Sequence, residues 1–199
     1  MHVIKVLKED HARIETLLEE VAETKENGEG AKAMLFGRLE RELIVHTLAE
    51  ENIFLPHVED AIDDSKQATA EFFDENADVL NEAAELIAQS YRNNQEIKAL
   101  LEDMRGLGVG DGGWEDKSGE LRRVVALHIE REEELFPKAE KVLEEEDFER
   151  IGDLVEHCKW QVRGLAQAKL ASSSSFRPAL EEREVSLLFE RDLQGSKRE

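Results

Sequence analysis

Two stretches of this chain carry the same polar interruption in an apolar stripe. Leu39, Leu43, His46, Glu50 and Ile53 recur at helical spacing in one, and Leu121, Val125, His128, Glu132 and Leu135 in the other. Such positions face the interior of a helical assembly, where a polar group needs a partner. The i, i+4 step stacks imidazole and carboxylate on one face about a turn apart, so both can reach one ion. The likeness between the stretches runs on without a gap through Val45/Leu127, Glu51/Glu133 and Phe54/Phe136, and a proline follows in each, at Pro56 and Pro137. Two halves of one site are therefore expected. His11 interrupts the series Ile4, Leu7, Ile14, Leu18, Val21 in the same way, and Asn76 falls between Phe73 and Leu80.

Imidazole suits iron, zinc and copper, carboxylate suits harder ions, and a mixed nitrogen and oxygen set without thiolate is usual for non-haem iron. Two carboxylates would offset part of the charge of bound cations in a poorly solvated core. Spacing alone is a weak signal, because Glu is abundant and a chance His-x-x-x-Glu is expected among the 6 His; His11 with Glu15 fits that description. Chance does not account for His11, His46, Glu50, His128 and Glu132 all falling on seams, with the second pair repeating the first. The alternative is a set of buried polar side chains satisfying one another. Two buried carboxylates without cations would make that arrangement expensive. His57, just past Pro56, is expected outside the metal layer, and Glu51 and Glu133 either support the imidazoles or sit in solvent.

The elements that must position these groups are helices. Gly is 12 and Pro 3 in 199 residues, a composition that favours helix. The spacing predicts a first helix ending near Asn27-Gly28, a second over about 31–59 that Pro56 should kink, and a third from near Lys66 toward Met104 with breaks around Asn93-Asn94. A loop over 106–113 and a cap at Asp116 or Ser118 open a fourth. Four amphipathic helices joined by short loops read as an up-down-up-down bundle. This all-α bundle is expected over 1–146, with 147–199 as a helical extension: a segment over about 148–169, a Ser-rich linker at 172–175 and a short helix over 178–193.

With Lys+Arg at 26 against 47 Asp+Glu, the formal net charge is −21, which disfavours nucleic acid and anionic membrane as partners. Cys158 stands alone, so there is no internal disulfide framework and no cysteine-rich metal site. No run approaches the roughly 20 apolar residues that span a bilayer, and a cytoplasmic setting is expected. Neither a nucleophile elbow nor a phosphate loop is present.

The segments LKEDHARIETLLEEV, LERELIVHTLAEENIFLPHVED and LRRVVALHIEREEELFPKAEKVL resemble the hemerythrin-type HHE cation-binding family over about residues 1–145. The resemblance implies a di-iron site with Glu50 and Glu132 bridging, His11 and His46 on one iron and His128 on the other. The family usually supplies a His from the third helix, where this chain reads Glu75-Asn76, so the second iron should be more open, with Asn76 or Glu75 as substitutes. The implied function is binding of, or reaction with, a small ligand (O₂, NO or peroxide) in sensing, scavenging or redox handling. Alternatives are an iron-sensing, storage or iron-centre repair protein, and a metal-free acidic scaffold associating through its C-terminal helices.

Overall fold

The computed structural model describes residues 1–24, 28–66 and 70–172, and the side chains of these apart from 70–75 and 165–172. The helices are α1 (Val3–Glu23), α2 (Glu29–Ala49), α3 (Leu55–Lys66), α4 (Ala70–Arg105), α5 (Gly112–Ala139) and α6 (Glu145–Ser172), with a π turn, Glu50–Phe54, joining α2 to α3. There is no strand among the described residues. The α2–π–α3 rod forms a helical bundle with α1, α4 and α5, in which α1 packs on α2, α4 on α5, and α3 on α4. The predicted linker residues after Ser172 and the 178–193 helix lie outside the described residues.

Paired positions of the internal repeat are buried alike. Leu39 and Leu121, Leu43 and Val125, Ile53 and Leu135, and Phe54 and Phe136 are all within 2 % of full burial. The repeat therefore reports a shared packing surface as well as shared chemistry.

Pro56 acts differently from the kink the sequence predicts. A proline lacks an N–H and its ring crowds the carbonyl four residues back. The rod accommodates this by widening into the π turn just before it, where the Leu55 N–H reaches the Glu50 carbonyl. His57 Nδ1 lies 2.6 Å from the Ile53 carbonyl oxygen, which it can serve as a donor. Single π turns of this kind occur often at functional sites, and this one starts at Glu50.

Two boundaries also move. The helix α4 runs without a break through Asn93-Asn94, because both side chains are buried against polar partners and not turned to solvent. The start of α5 is Gly112, with Asp111 ahead of it accepting a hydrogen bond from the Gly108 N–H at 2.7 Å.

The helix α6 lies against α1, α2 and the π turn. Its Phe148, Ile151, Val155, Cys158 and Val162 belong to the same hydrophobic core as the bundle.

Candidate metal centre

Each bundle helix brings its polar seam residue to one level. The side chains of His11 (α1), His46 (α2), Glu50 (π turn), His128 and Glu132 (α5) are buried, and one ligand atom from each lies within 4.8 Å of all the others. His11 Nε2 is 2.7 Å from Glu132 Oε2. His46 Nε2 is 2.6 Å from Glu50 Oε1 and 3.2 Å from His128 Nε2. His128 Nε2 is in turn 3.4 Å from Glu50 Oε1 and 3.7 Å from Glu132 Oε2. The three rings meet edge to face, with His11 and His46 centroids 4.9 Å apart and those of His46 and His128 5.4 Å apart. Phe136 stacks on His11 and packs edge-on to Phe54, closing one side of the cluster with apolar surface.

The donor set fits a cation. Among the described residues, Glu132 Oε1 and the Nδ1 atoms of all three imidazoles are buried without a hydrogen-bond partner, and Glu50 Oε1 lies against two ring nitrogens. Unmet buried acceptors converging with ring nitrogens are what a positive ion would satisfy.

The electrostatics of the metal-free cluster divide the groups. Burial pulls His11 down to about 4, helped by the neighbouring His46 charge, so His11 is neutral at pH 7. Burial also opposes charge on His46, but Glu50, Asp10 and Glu132 outweigh it and hold the ring well above its ordinary value. Glu50 is the reverse: burial pushes it up, and His46 and His128 hold it well below the carboxylate range. Burial and the neighbouring Glu50 push Glu132 well above that range. The consistent proton map is an ionised Glu50 paired with a protonated His46, and a protonated Glu132 donating to His11 Nε2. A cation must displace the protons on His46 and Glu132, so its uptake should release about two protons, and apparent affinity should rise with pH through neutrality until the raised His46 and Glu132 groups have lost them. Binding heats measured in buffers of different ionisation enthalpy will count them; a buffer-independent heat would contradict the map.

The fourth helix brings Asn94 to the cluster, not Asn76. Asn94 is fully buried and its Nδ2 donates to Glu50 Oε2 at 2.9 Å. Half-buried Asn76 lies about five turns, or roughly 27 Å, back along α4. Glu75 sits beside it in the chain, and its side chain lies outside those described. The signal for Asn94 was available: Leu80, Ile87, Asn94 and Leu101 form a seven-residue row of which all members are buried, and Asn94 is its polar interruption. His57 stays outside the cluster beside Arg150, Glu51 takes the Lys98 ammonium at 2.9 Å, and Glu133 is exposed.

Residues 2–139 match the Hemerythrin HHE cation binding domain. The chain belongs to that family. A solved hemerythrin HHE cation binding domain-containing protein from Mycobacterium kansasii is similar in fold, with a TM-score of 0.67 and 23% identity over 88% of this chain and 95% of that one. No curated protein matches. Membership in a cation-binding family and the convergence of five buried His and Glu donors agree on a metal-binding centre. Among the described residues no helix is long and apolar enough to cross a membrane.

Proposed function

We propose that this hemerythrin-family chain is a non-haem iron protein in which His11, His46, Glu50, His128 and Glu132 hold the metal, and that it handles a small oxidant. The observation that carries the reading is the single buried knot of three imidazoles and two carboxylates within 4.8 Å. Ligands about 2.0–2.2 Å from a metal lie at most about 4.4 Å apart, so a small contraction of this set would close it on one ion. Should a second ion bind, Glu50 and Glu132 would be the carboxylates shared between the two. Asn94 already occupies Glu50 Oε2 with an N–H, and an amide is a poorer ligand than imidazole, so the second ion is held more weakly.

Bound iron supplies the capacity to bind, or exchange electrons with, O₂, NO or peroxide. The protein's part is to keep the site dry and under-coordinated. Phe54 and Phe136 exclude water on one side, while α4 offers buried Asn94 in place of imidazole. Anionic carboxylates favour the ferric state, and with only three imidazoles the centre oxidises readily and releases O₂ reluctantly. Sensing, scavenging or redox handling therefore fits better than reversible carriage, and a reducing, cytoplasmic setting suits iron that must be re-reduced.

Anaerobic Fe(II) titration tests the reading. The parent should bind one tight and one weaker equivalent, and Asn94→His should tighten the second by about tenfold or more. Rapid mixing of the loaded protein with O₂ should give oxidation without a stable, reversible oxygenated spectrum. Failure to bind Fe(II), or binding that survives His46→Ala and His128→Ala, would overturn it.

A further inference from the structure

The helix α6 carries a lysine that is only 2% exposed, Lys159. A buried ammonium needs compensation, and its Nζ lies 2.8 Å from Asp10 Oδ1 and 2.9 Å from Glu156 Oε1. Asp10 is itself buried on α1, one residue before His11, and turns its two oxygens to different tasks. Oδ1 accepts from Lys159 and from the half-exposed Arg13 at 2.7 Å. Oδ2 has no hydrogen-bond partner and faces His46 Nδ1, also without one, at 3.7 Å. That separation exceeds a hydrogen bond, so the pair is aligned but not closed. On the other edge of the same ring, Nε2 is the atom that reaches Glu50 and His128.

A metal-ligating imidazole commonly donates its second ring N–H to a carboxylate, which fixes the ring's tautomer and direction. Asp10 is the carboxylate in that position for His46, and Lys159 is the buried cation that fixes Asp10. We propose that Lys159 is a positioning residue for the metal centre, acting from α6 through Asp10 on His46. The inference rests on the metal reading above. It assigns a role to a residue beyond 2–139, the span that matches the family domain: the last described helix completes the surroundings of one imidazole. Arg13 does not duplicate it, because its side chain is 46% exposed and shared with Glu42.

The test uses the full chain loaded anaerobically with Fe(II), following release to an excess of ferrous chelator. Lys159→Met and Asp10→Asn should each release iron roughly 10- to 100-fold faster than the parent, and Lys159→Arg should restore most of the difference. The double variant Lys159→Met/Asp10→Asn leaves no buried charge unpaired, since Glu156 and Arg13 are partly exposed, so it folds even where Lys159→Met alone does not, and it should release iron no faster than Asp10→Asn. Val155→Ala, which loosens the α6 packing and keeps the Lys159 ammonium and its partners, should lower thermal stability while leaving the release rate at the parental value. Release at the parental rate in Lys159→Met, or faster release from the double variant than from Asp10→Asn, would overturn the proposal while leaving the metal reading intact. Equal acceleration by Val155→Ala would overturn it too, since α6 would then act through packing alone. A parent that takes up no Fe(II) would overturn the metal reading and this one with it.

Discussion

Glu132→Gln should lose the metal while leaving the metal-free protein about as stable as the parent. In the metal-free cluster Glu132 keeps its proton, because burial and the Glu50 charge both oppose its ionisation, and it can donate that proton to His11 Nε2 at 2.7 Å. A glutamine amide is neutral, nearly the same shape, and can donate the same hydrogen bond, so the change in unfolding free energy should stay within about 1 kcal/mol. Coordination needs the anion, and the amide cannot supply it. Fe(II) affinity should therefore fall by more than the roughly 10- to 100-fold typical for outer partners of a ligand. Glu50→Gln makes the contrast. Glu50 is ionised and paired with the His46 ring at 2.6 Å, so its replacement removes the counter-charge of a buried cation. That variant should lose metal and also destabilise the metal-free fold by about 1–3 kcal/mol, the loss being limited because His46 can shed its proton. Thermal unfolding of chelator-treated proteins, beside Fe(II) titration, separates the two. Equal destabilisation by both substitutions would mean the proton does not reside on Glu132.

The same division explains what could be read from the residues alone. His11, His46, Glu50, His128 and Glu132 stand out because each replaces an apolar side chain in a row of period 3.6, and the structure buries all five. In α4 the sequence suggests breaks that the structure lacks, for a physical reason. Asn is both a helix breaker and a buried hydrogen-bonding residue, and the pair Asn93-Asn94 looks like the first until a partner is known. Here Asn94 meets Glu50, and Asn93 accepts from Arg131 at 2.9 Å. A helix as long as α4 also offers several apolar rows, and its level against the other rods depends on the loops at both ends. Asp10 and Lys159 were opaque for another reason: charged residues in helices are ordinarily solvated, and only the docking of α6 onto α1 turns this pair inward. The composition of α1 hints at it, since Val3, Asp10 and Leu17, seven residues apart and all buried, form a second row beside the one that holds His11. An α1 with two buried faces requires a further helix to cover the outer one.

That covering depends on a single small residue, and Gly152→Ala should disrupt it. A Cβ at Gly152 would stand 1.7 Å from the Met1 carbonyl oxygen and 3.0 Å from the Val3 nitrogen. Both are backbone atoms, so no side-chain rotation relieves the clash, and the start of α1 must part from α6. The neighbouring contacts would part with it, including buried Val3 and the His2 ring stacked on Phe148 at a centroid distance of 4.6 Å. Overpacking of this kind typically destabilises by about 1–3 kcal/mol. The loss falls two turns before Lys159 on the same helix, so a displaced α6 also draws the ammonium from Asp10, and Fe(II) release should accelerate together with the fall in stability. Gly164→Ala is the matched control: among the described residues no atom outside its own stretch of helix lies within 4 Å of its Cβ position, and replacing glycine within a helix by alanine should stabilise by up to about 1 kcal/mol. Opposite shifts in melting temperature from the same substitution at two glycines of α6 would show that close approach to α1, and not helix propensity, governs position 152. A Gly152→Ala protein as stable as the parent would mean that α6 does not hold the start of α1 in solution.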